Sequence, residues 1–320
     1  MSPRHRFAAL SGIAILLFGS LWVLHSTETP PWKSSEISAN PNREKSYVSN
    51  KKTKDAEPDP FRFLSYNVKN WLVSDQSPEK STESKDAVIL LISSAQPDVV
   101  GLCEIGSEND LKEVQSKLTE KGLELPYLHH TGGSDPIRHL GLLSRFPIVS
   151  TVSPKIKIPN TDHFIQRGIL DATVRIGDAP VRFIGVHLKS KRTVPTFDQA
   201  TLRVAESQTI RKHIDEIFLS DQSAKLIVYG DFNDHIRSLS TRTILGKYRT
   251  AEYLMPVSLK DSHGENWTHL FATHDSYSRI DFITVSPSLR SNLKRSESRI
   301  IDESGWQKAS DHRPLLVAFE

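Results

Sequence analysis

Cysteine is nearly missing from this chain of 320 residues: Cys103 stands alone, which excludes an intrachain disulfide and a cysteine-built zinc site. Its place in an apolar run predicts a small buried hydrophobe. Excess charge is missing too. Of 41 Lys+Arg and 38 Asp+Glu, residues 59–320 hold 33 of each, so the body is neutral. That argues against a surface that coats nucleic acid generally, while leaving room for a local basic patch. No internal repeat is visible, which argues against a solenoid.

Long apolar runs are also scarce. The exception is Phe7–Leu24, 18 uncharged residues behind Arg4 and Arg6. It reads as a signal anchor or a signal peptide (residues 1–24), at the short end of the roughly 17–25 residues a membrane helix needs. Trp22, Leu24 and His25 make a poor cleavage site, which favours an uncleaved anchor. Residues 25–58 are rich in Ser, Asn, Pro, Lys and Glu and read as a disordered linker. Either reading exports residues 59–320, with membrane attachment if the segment stays.

Within residues 59–320, strand and helix signals alternate. Phe61–Val68 alternates with period two and puts Phe61, Phe63, Ser65 and Asn67 on one face. Residues 79–95 predict a helix with Val88, Leu91, Ile92 and Ala95 inward and Pro97 as its stop. Asp98–Cys103 is an apolar strand that ends on Glu104, and Leu111, Val114 and Leu118 mark a second helix ended by Gly122. His139–Leu143 and Ile148–Val149 flank a Ser-Arg-Phe-Pro turn. Ile169–Ile176 and Val181–Leu188 form a hairpin ending in His187, Lys189, Ser190, Lys191 and Arg192. Three cations beside His187 point to phosphate contact. Residues 197–217 predict a helix with Leu202, Ala205, Thr209, Ile210, Ile214 and Ile217 buried, and Arg203, Arg211 and Lys212 on a solvated flank. Residues 235–265 read as irregular.

The centre of the pattern is Leu226–Asp234, LIVYGDFND. A buried strand ends in Gly230, and Asp231 and Asn233, two apart, leave on the same side. Taken alone, an Asx-rich turn explains the stretch equally well. Asp281 lies inside the apolar strand Arg279–Val285, where a buried aspartate needs a cationic partner such as a histidine. Asp311 and His312 stand just before the last strand, Leu315–Phe319.

Strand tips thus deliver Asn67, Glu104, His187, Asp231, Asn233, Asp281, Asp311 and His312. In this order, with SYNV, LCE, SRFPI, RGIL, GVHLKSK, VYGDFND, SRIDF and SDHRP spread over residues 61–319, the chain resembles the endonuclease/exonuclease/phosphatase superfamily. The resemblance implies a four-layered α/β sandwich, with two packed, mainly antiparallel sheets flanked by helices. It implies Mg²⁺-dependent phosphoester hydrolysis, with Mn²⁺ as a possible substitute. It implies Glu104 on the metal with Asn67 and Asp311 beside it, and His312 paired to Asp281. Asp231 and Asn233 would orient the attacking water and the phosphate, and His187 and Arg167 would touch phosphate oxygens, with Lys189 nearby. Two positions depart from the pattern. Lys69 stands where some relatives carry a further acid, which favours one metal over two, and Cys103 stands where the family often has glutamine.

The chemistry is coherent without the family. Magnesium takes oxygen ligands and keeps several waters, so one or two carboxylates suffice. A His312 held by Asp281 would stay cationic and donate to phosphate. Asp231 is the general base by reach, with His312 the other choice. The expected substrate is DNA or RNA. The competing readings are a lipid head group or small phosphate ester, and a non-catalytic binding domain. A monomer is expected.

Overall fold

The structure, a computed structural model, describes residues 56–72, 79–159, 161–192 and 198–320. The expected signal segment and nearly all of the linker lie outside the described residues. Among those described, no helix is long and apolar enough to cross a membrane.

Period-two sequences build two six-stranded sheets. The first contains β1 (Phe61–Trp71), β2 (Val99–Ile105), β3 (Tyr127–Thr131), β4 (His139–Ser144), β13 (Arg299–Ile300) and β14 (Leu315–Phe319), in the order β13-β14-β1-β2-β4-β3. The second contains β5 (Ile148–Thr151), β6 (Ile169–Ile176), β7 (Ala179–His187), β8 (Lys225–Asp231), β9 (Met255–Pro256) and β12 (Asp281–Val285), in the order β5-β6-β7-β8-β12-β9. Pairing is antiparallel except for β1 with β2 and β7 with β8. A separate hairpin joins β10 (His269–Phe271) and β11 (Ser276–Ser278). The Ser-Arg-Phe-Pro turn does not close a hairpin: it carries the chain from β4 in one sheet to β5 in the other.

Alternation along each strand decides the layers. Phe61 and Phe63 of β1, Phe183 of β7, Tyr229 of β8 and Val317 of β14 share the core between the sheets. Leu64, Tyr66 and Val68 point the other way, toward α1 (Thr82–Ala95) and α2 (Glu108–Glu120). On the far side, Ile184 and Val228 meet α3 (Gln199–Ser220) and α4 (Leu239–Leu245). The expected four-layered α/β sandwich is therefore present. The sheets approach closely around Tyr229, where a Cβ on Gly101 would sit 2.1 Å from the ring and one on Gly185 2.8 Å from its hydroxyl. Glycine at both positions is what lets this ring fit between the sheets.

Helix ends follow their caps. Ser81 accepts from the Ser84 amide, so α1 starts at Thr82 rather than at residue 79, and it ends at left-handed Gln96 before Pro97. Ser107 and Asp110 form a reciprocal capping box on α2. Helix α3 runs to Ser220, past the expected residue 217. The expected solvated flank of α3 is wrong for two of its three cations. Arg203 is buried and bonds Asp234 and the Lys189 carbonyl. Arg211 bonds Asp215 and the carbonyls of Ile244 and Glu252. Both guanidiniums find acceptors on the neighbouring loops, which a helical wheel does not show. The stretch read as irregular contains α4 and β9, and its Asp261 pairs with buried Arg313 at 2.7 Å.

Candidate active site

The two sheets end together at one edge, and register sets which side chains meet there. Parallel pairing of β7 with β8 places His187 opposite Asp231, and antiparallel pairing of β12 places Asp281 opposite the same residue. Asn67 continues the inward face of β1. Glu104 sits in a bulge of β2 with φ 65°, a conformation that non-glycine residues rarely hold. Such strain concentrates at functional positions. Lys69 and Asn70 are also left-handed, at φ 51° and 55°, where β1 shifts register. That twist turns the Asn70 amide onto Glu104 Oε2 at 2.9 Å.

Asp231 is the hub. Its carboxylate accepts from the Asn233 backbone amide at 2.8 Å, from Asn233 Nδ2 at 3.1 Å and from Asn67 Nδ2 at 3.1 Å. His187 Nε2 lies 3.5 Å from Asp231 Oδ2, and His312 Nε2 lies 3.8 Å from the same oxygen. Asn67 Nδ2 also reaches Glu104 Oε1 at 3.3 Å, so one amide clamps two carboxylates. His312 Nδ1 bonds Asp281 Oδ2 at 2.8 Å, and Asp281 in turn accepts from the Thr268 hydroxyl at 2.7 Å. Asp311 joins from one side, 3.3 Å from Lys69 Nζ. Arg167 and Lys189 lie near enough for their charges to act on His187, while Arg167 pairs with Asp135 and Lys189 bonds Gln166 and Glu206.

Burial and mutual charge set the proton states. Burial, then the Asp281 charge, push Asp231 up to about 7. Burial lowers His312, but the charge and hydrogen bond of Asp281 with the charges of Asp231 and Asp311 together outweigh it and raise His312 to about 10. Burial, then Arg167, His312, Arg138 and Lys189, hold His187 well below the usual histidine range. His187 is therefore a neutral imidazole at pH 7, and His312 a cation. The cluster holds a base poised near neutrality beside a cationic donor.

Oxygen donors dominate the site: Glu104, Asp231, Asp311 and the amides of Asn67 and Asn233. That set suits a hard divalent cation. Asp231, Asp281 and His312 place their ligand atoms within 4.8 Å of one another, as do His269, Asp311 and His312.

A sequence profile of the Endonuclease/Exonuclease/phosphatase family matches residues 64–312. The chain belongs to this family. Solved structures show the same fold. Sphingomyelinase C from Streptomyces griseocarneus is 17% identical with a TM-score of 0.61, covering 82% of this chain and 100% of that one. A family member from Bacteroides thetaiotaomicron is 20% identical with a TM-score of 0.60, covering 82% and 96%. A Staphylococcus aureus beta toxin variant with bound magnesium ions is 15% identical with a TM-score of 0.57, covering 82% and 100%. No curated protein matches the chain in sequence. As a member of the family, the protein is a hydrolase of phosphoesters.

Sequence reasoning missed several parts of this site. Thr268 fixes Asp281, and its hydroxyl also accepts the backbone amides of Ile280 and Asp281. Ser310 donates to the Asn67 carbonyl and accepts from the His312 amide. His269 packs its ring 4.5 Å from that of His312. Only Ser310 carried a signal, by standing beside Asp311 and His312; the others arrive through tertiary pairing.

Proposed function

We propose that this protein is an exported, Mg²⁺-dependent phosphodiesterase acting on DNA or RNA. The observation that carries the chemistry is Asp231, fixed by three amide hydrogen bonds and flanked by a neutral and a cationic histidine. Asp231 takes the proton of the attacking water while Asn233 and Asn67 keep its carboxylate aimed. His312, held by Asp281, donates from Nε2 to a phosphoryl oxygen. Neutral His187 has a single N–H to offer the same group. Glu104, with Asn67 and Asp311 beside it, would hold the metal, which when bound neutralises charge on the phosphoryl oxygens. Lys69 already balances Asp311, which supports one metal rather than two. Export rests on the amino-terminal sequence alone.

A second reading, a lipid head-group phosphodiesterase, is favoured by one feature. The β10–β11 hairpin carries exposed Phe271 and Tyr277 beside His269, close to the catalytic edge. The test is a substrate panel for the full-length protein, with Mg²⁺ or Mn²⁺ and plasmid, single-stranded DNA, RNA, sphingomyelin or inositol phosphates. Nucleic-acid cleavage is expected, abolished by EDTA and by Glu104→Ala, with affinity falling steeply from about 50 to 200 mM salt. Cleavage of sphingomyelin alone would select the second reading, and hydrolysis untouched by EDTA would reject the metal.

A further inference from the structure

Beyond His187, a short loop and the segment before β6 bring three cations together. Arg167 is buried, and its Nε and Nη1 have no hydrogen-bond partner among the described residues. Asp135 Oδ2 lies 3.4 Å from that Nε, an ion-pair contact rather than an aligned hydrogen bond. The same oxygen is 3.8 Å from Arg138 Nη1. Arg138 Nε donates to Asn70 Oδ1 at 3.0 Å, and the Asn70 amide holds Glu104, so Arg138 is tied to the catalytic edge through one residue. Lys189 Nζ donates to Gln166 Oε1 at 3.0 Å.

The balancing acids are few. Asp135 is shared by the two arginines. Buried Glu206 accepts the backbone amides of Gln166 and Lys189. Lys191, which the sequence placed with this group, is taken by Asp234 at 3.0 Å. The three cations thus exceed the side-chain carboxylates they touch.

The loop is built to hold this arrangement. Asp135 Oδ1 accepts the amides of Ile137 and Arg138, both at 3.1 Å. The Asp135 amide bonds the Gln166 carbonyl at 2.7 Å, and a Cβ on Gly133 would sit 2.2 Å from the Ile165 carbonyl oxygen. Only glycine allows the loop to dock so close beside Arg167.

Resting on the phosphodiesterase reading above, we infer that Arg138, Arg167 and Lys189 form a second anion subsite, which takes the phosphate next to the scissile one in a nucleic-acid strand. A buried guanidinium with unmet donors is costly unless an anion arrives, and a planar fork suits phosphate. Fixing the cations in advance lowers the entropic cost of binding. A substrate with a single phosphate beside a cationic head group gains nothing here. The subsite therefore favours a phosphate chain over a zwitterionic lipid.

The test compares full-length protein with Arg138→Gln and Arg138→Lys on a thymidine dinucleotide with and without a terminal phosphate, placed at the 5′ or the 3′ end. Wild type should prefer one of the phosphorylated forms by about tenfold or more in kcat/KM, mostly through KM. Arg138→Gln should bring that ratio near one, and Arg138→Lys should keep part of it. A wild type without preference, or an Arg138→Gln protein that keeps it, overturns the subsite. Calorimetry with pyrophosphate on metal-free protein separates the two proposals. If no dinucleotide is cleaved, tight pyrophosphate binding that weakens at least fivefold in a folded Arg138→Gln protein keeps the subsite and rejects the nuclease reading. Equal pyrophosphate affinity in both proteins rejects the subsite.

Discussion

Asp281→Asn isolates the charge that keeps His312 cationic. The substitution keeps the size of the side chain and an acceptor for the Thr268 hydroxyl, but removes the carboxylate 2.8 Å from His312 Nδ1. Burial is then opposed only by the charges of Asp231 and Asp311, and His312 falls from about 10. Each pH unit by which it falls is worth about 1.4 kcal/mol. The sign for stability follows. A histidine whose folded pKa exceeds its unfolded one contributes stability fully below about 6.5 and loses it as pH rises toward about 10. Lys80, which burial and then Lys69 lower to about 8, acts in the opposite sense over part of that window. Lys80 is common to both proteins, so the difference between wild type and Asp281→Asn reports His312 together with Asp231, whose carboxyl the Asp281 charge also raises; both contributions to wild-type stability shrink as pH rises. Denaturant unfolding in EDTA from pH 6 to 10 should show the gap between the proteins closing as pH rises. Hydrolysis of bis(p-nitrophenyl) phosphate at pH 7 should fall about 10²–10⁴-fold. A folded Asp281→Asn protein within tenfold of wild type, or a His312 ring still protonated at pH 8 by nitrogen NMR, would refute this reasoning.

Three further outcomes follow from the geometry. Asp171 is buried under Arg182 and His213, whose bonds overcome burial and hold its carboxyl below the usual 3.8. That stability is present above about pH 3.8 and is lost as pH falls below it; Asp171→Asn should cost about 3 kcal/mol at pH 7, with the gap closing in acid by circular dichroism. Gly101→Ala drives a methyl into the Tyr229 ring and should lower stability by about 1–3 kcal/mol in a urea melt. Lys69→Ala frees Asp311 and should reduce half-saturating Mg²⁺ by up to about fivefold, as expected for an exposed ion pair.

Much of the fold was legible because its central strands are apolar runs that end on polar residues. Phe61, Phe63 and Asn67 share a face in the chain as they do in the molecule, and the paired strands deliver Asp231, His187 and Asp281 to one edge. Cys103 is buried in the core between the sheets, as its apolar run implied. What stayed hidden depends on contacts made across the chain. Arg203 looked solvated because its acceptors, Asp234 and the Lys189 carbonyl, belong to other elements. Thr268 lies in a polar stretch with no periodicity, yet its hydroxyl fixes Asp281 from a different loop. Arg138 follows a glycine pair that reads as a plain loop, and its role emerges only where Gly133 docks on Ile165. The left-handed backbone at Glu104 has no marker either, since a bulge is a property of pairing rather than of one residue.

The account stands on Asp231 serving as the base of a metal-assisted hydrolysis, so the deciding measurement is the steady-state rate of phosphodiester hydrolysis by Asp231→Asn beside wild type in Mg²⁺. The amide should retain a native circular dichroism spectrum and lose about 10²–10⁴-fold in kcat. A folded Asp231→Asn protein that hydrolyses at the wild-type rate would contradict it.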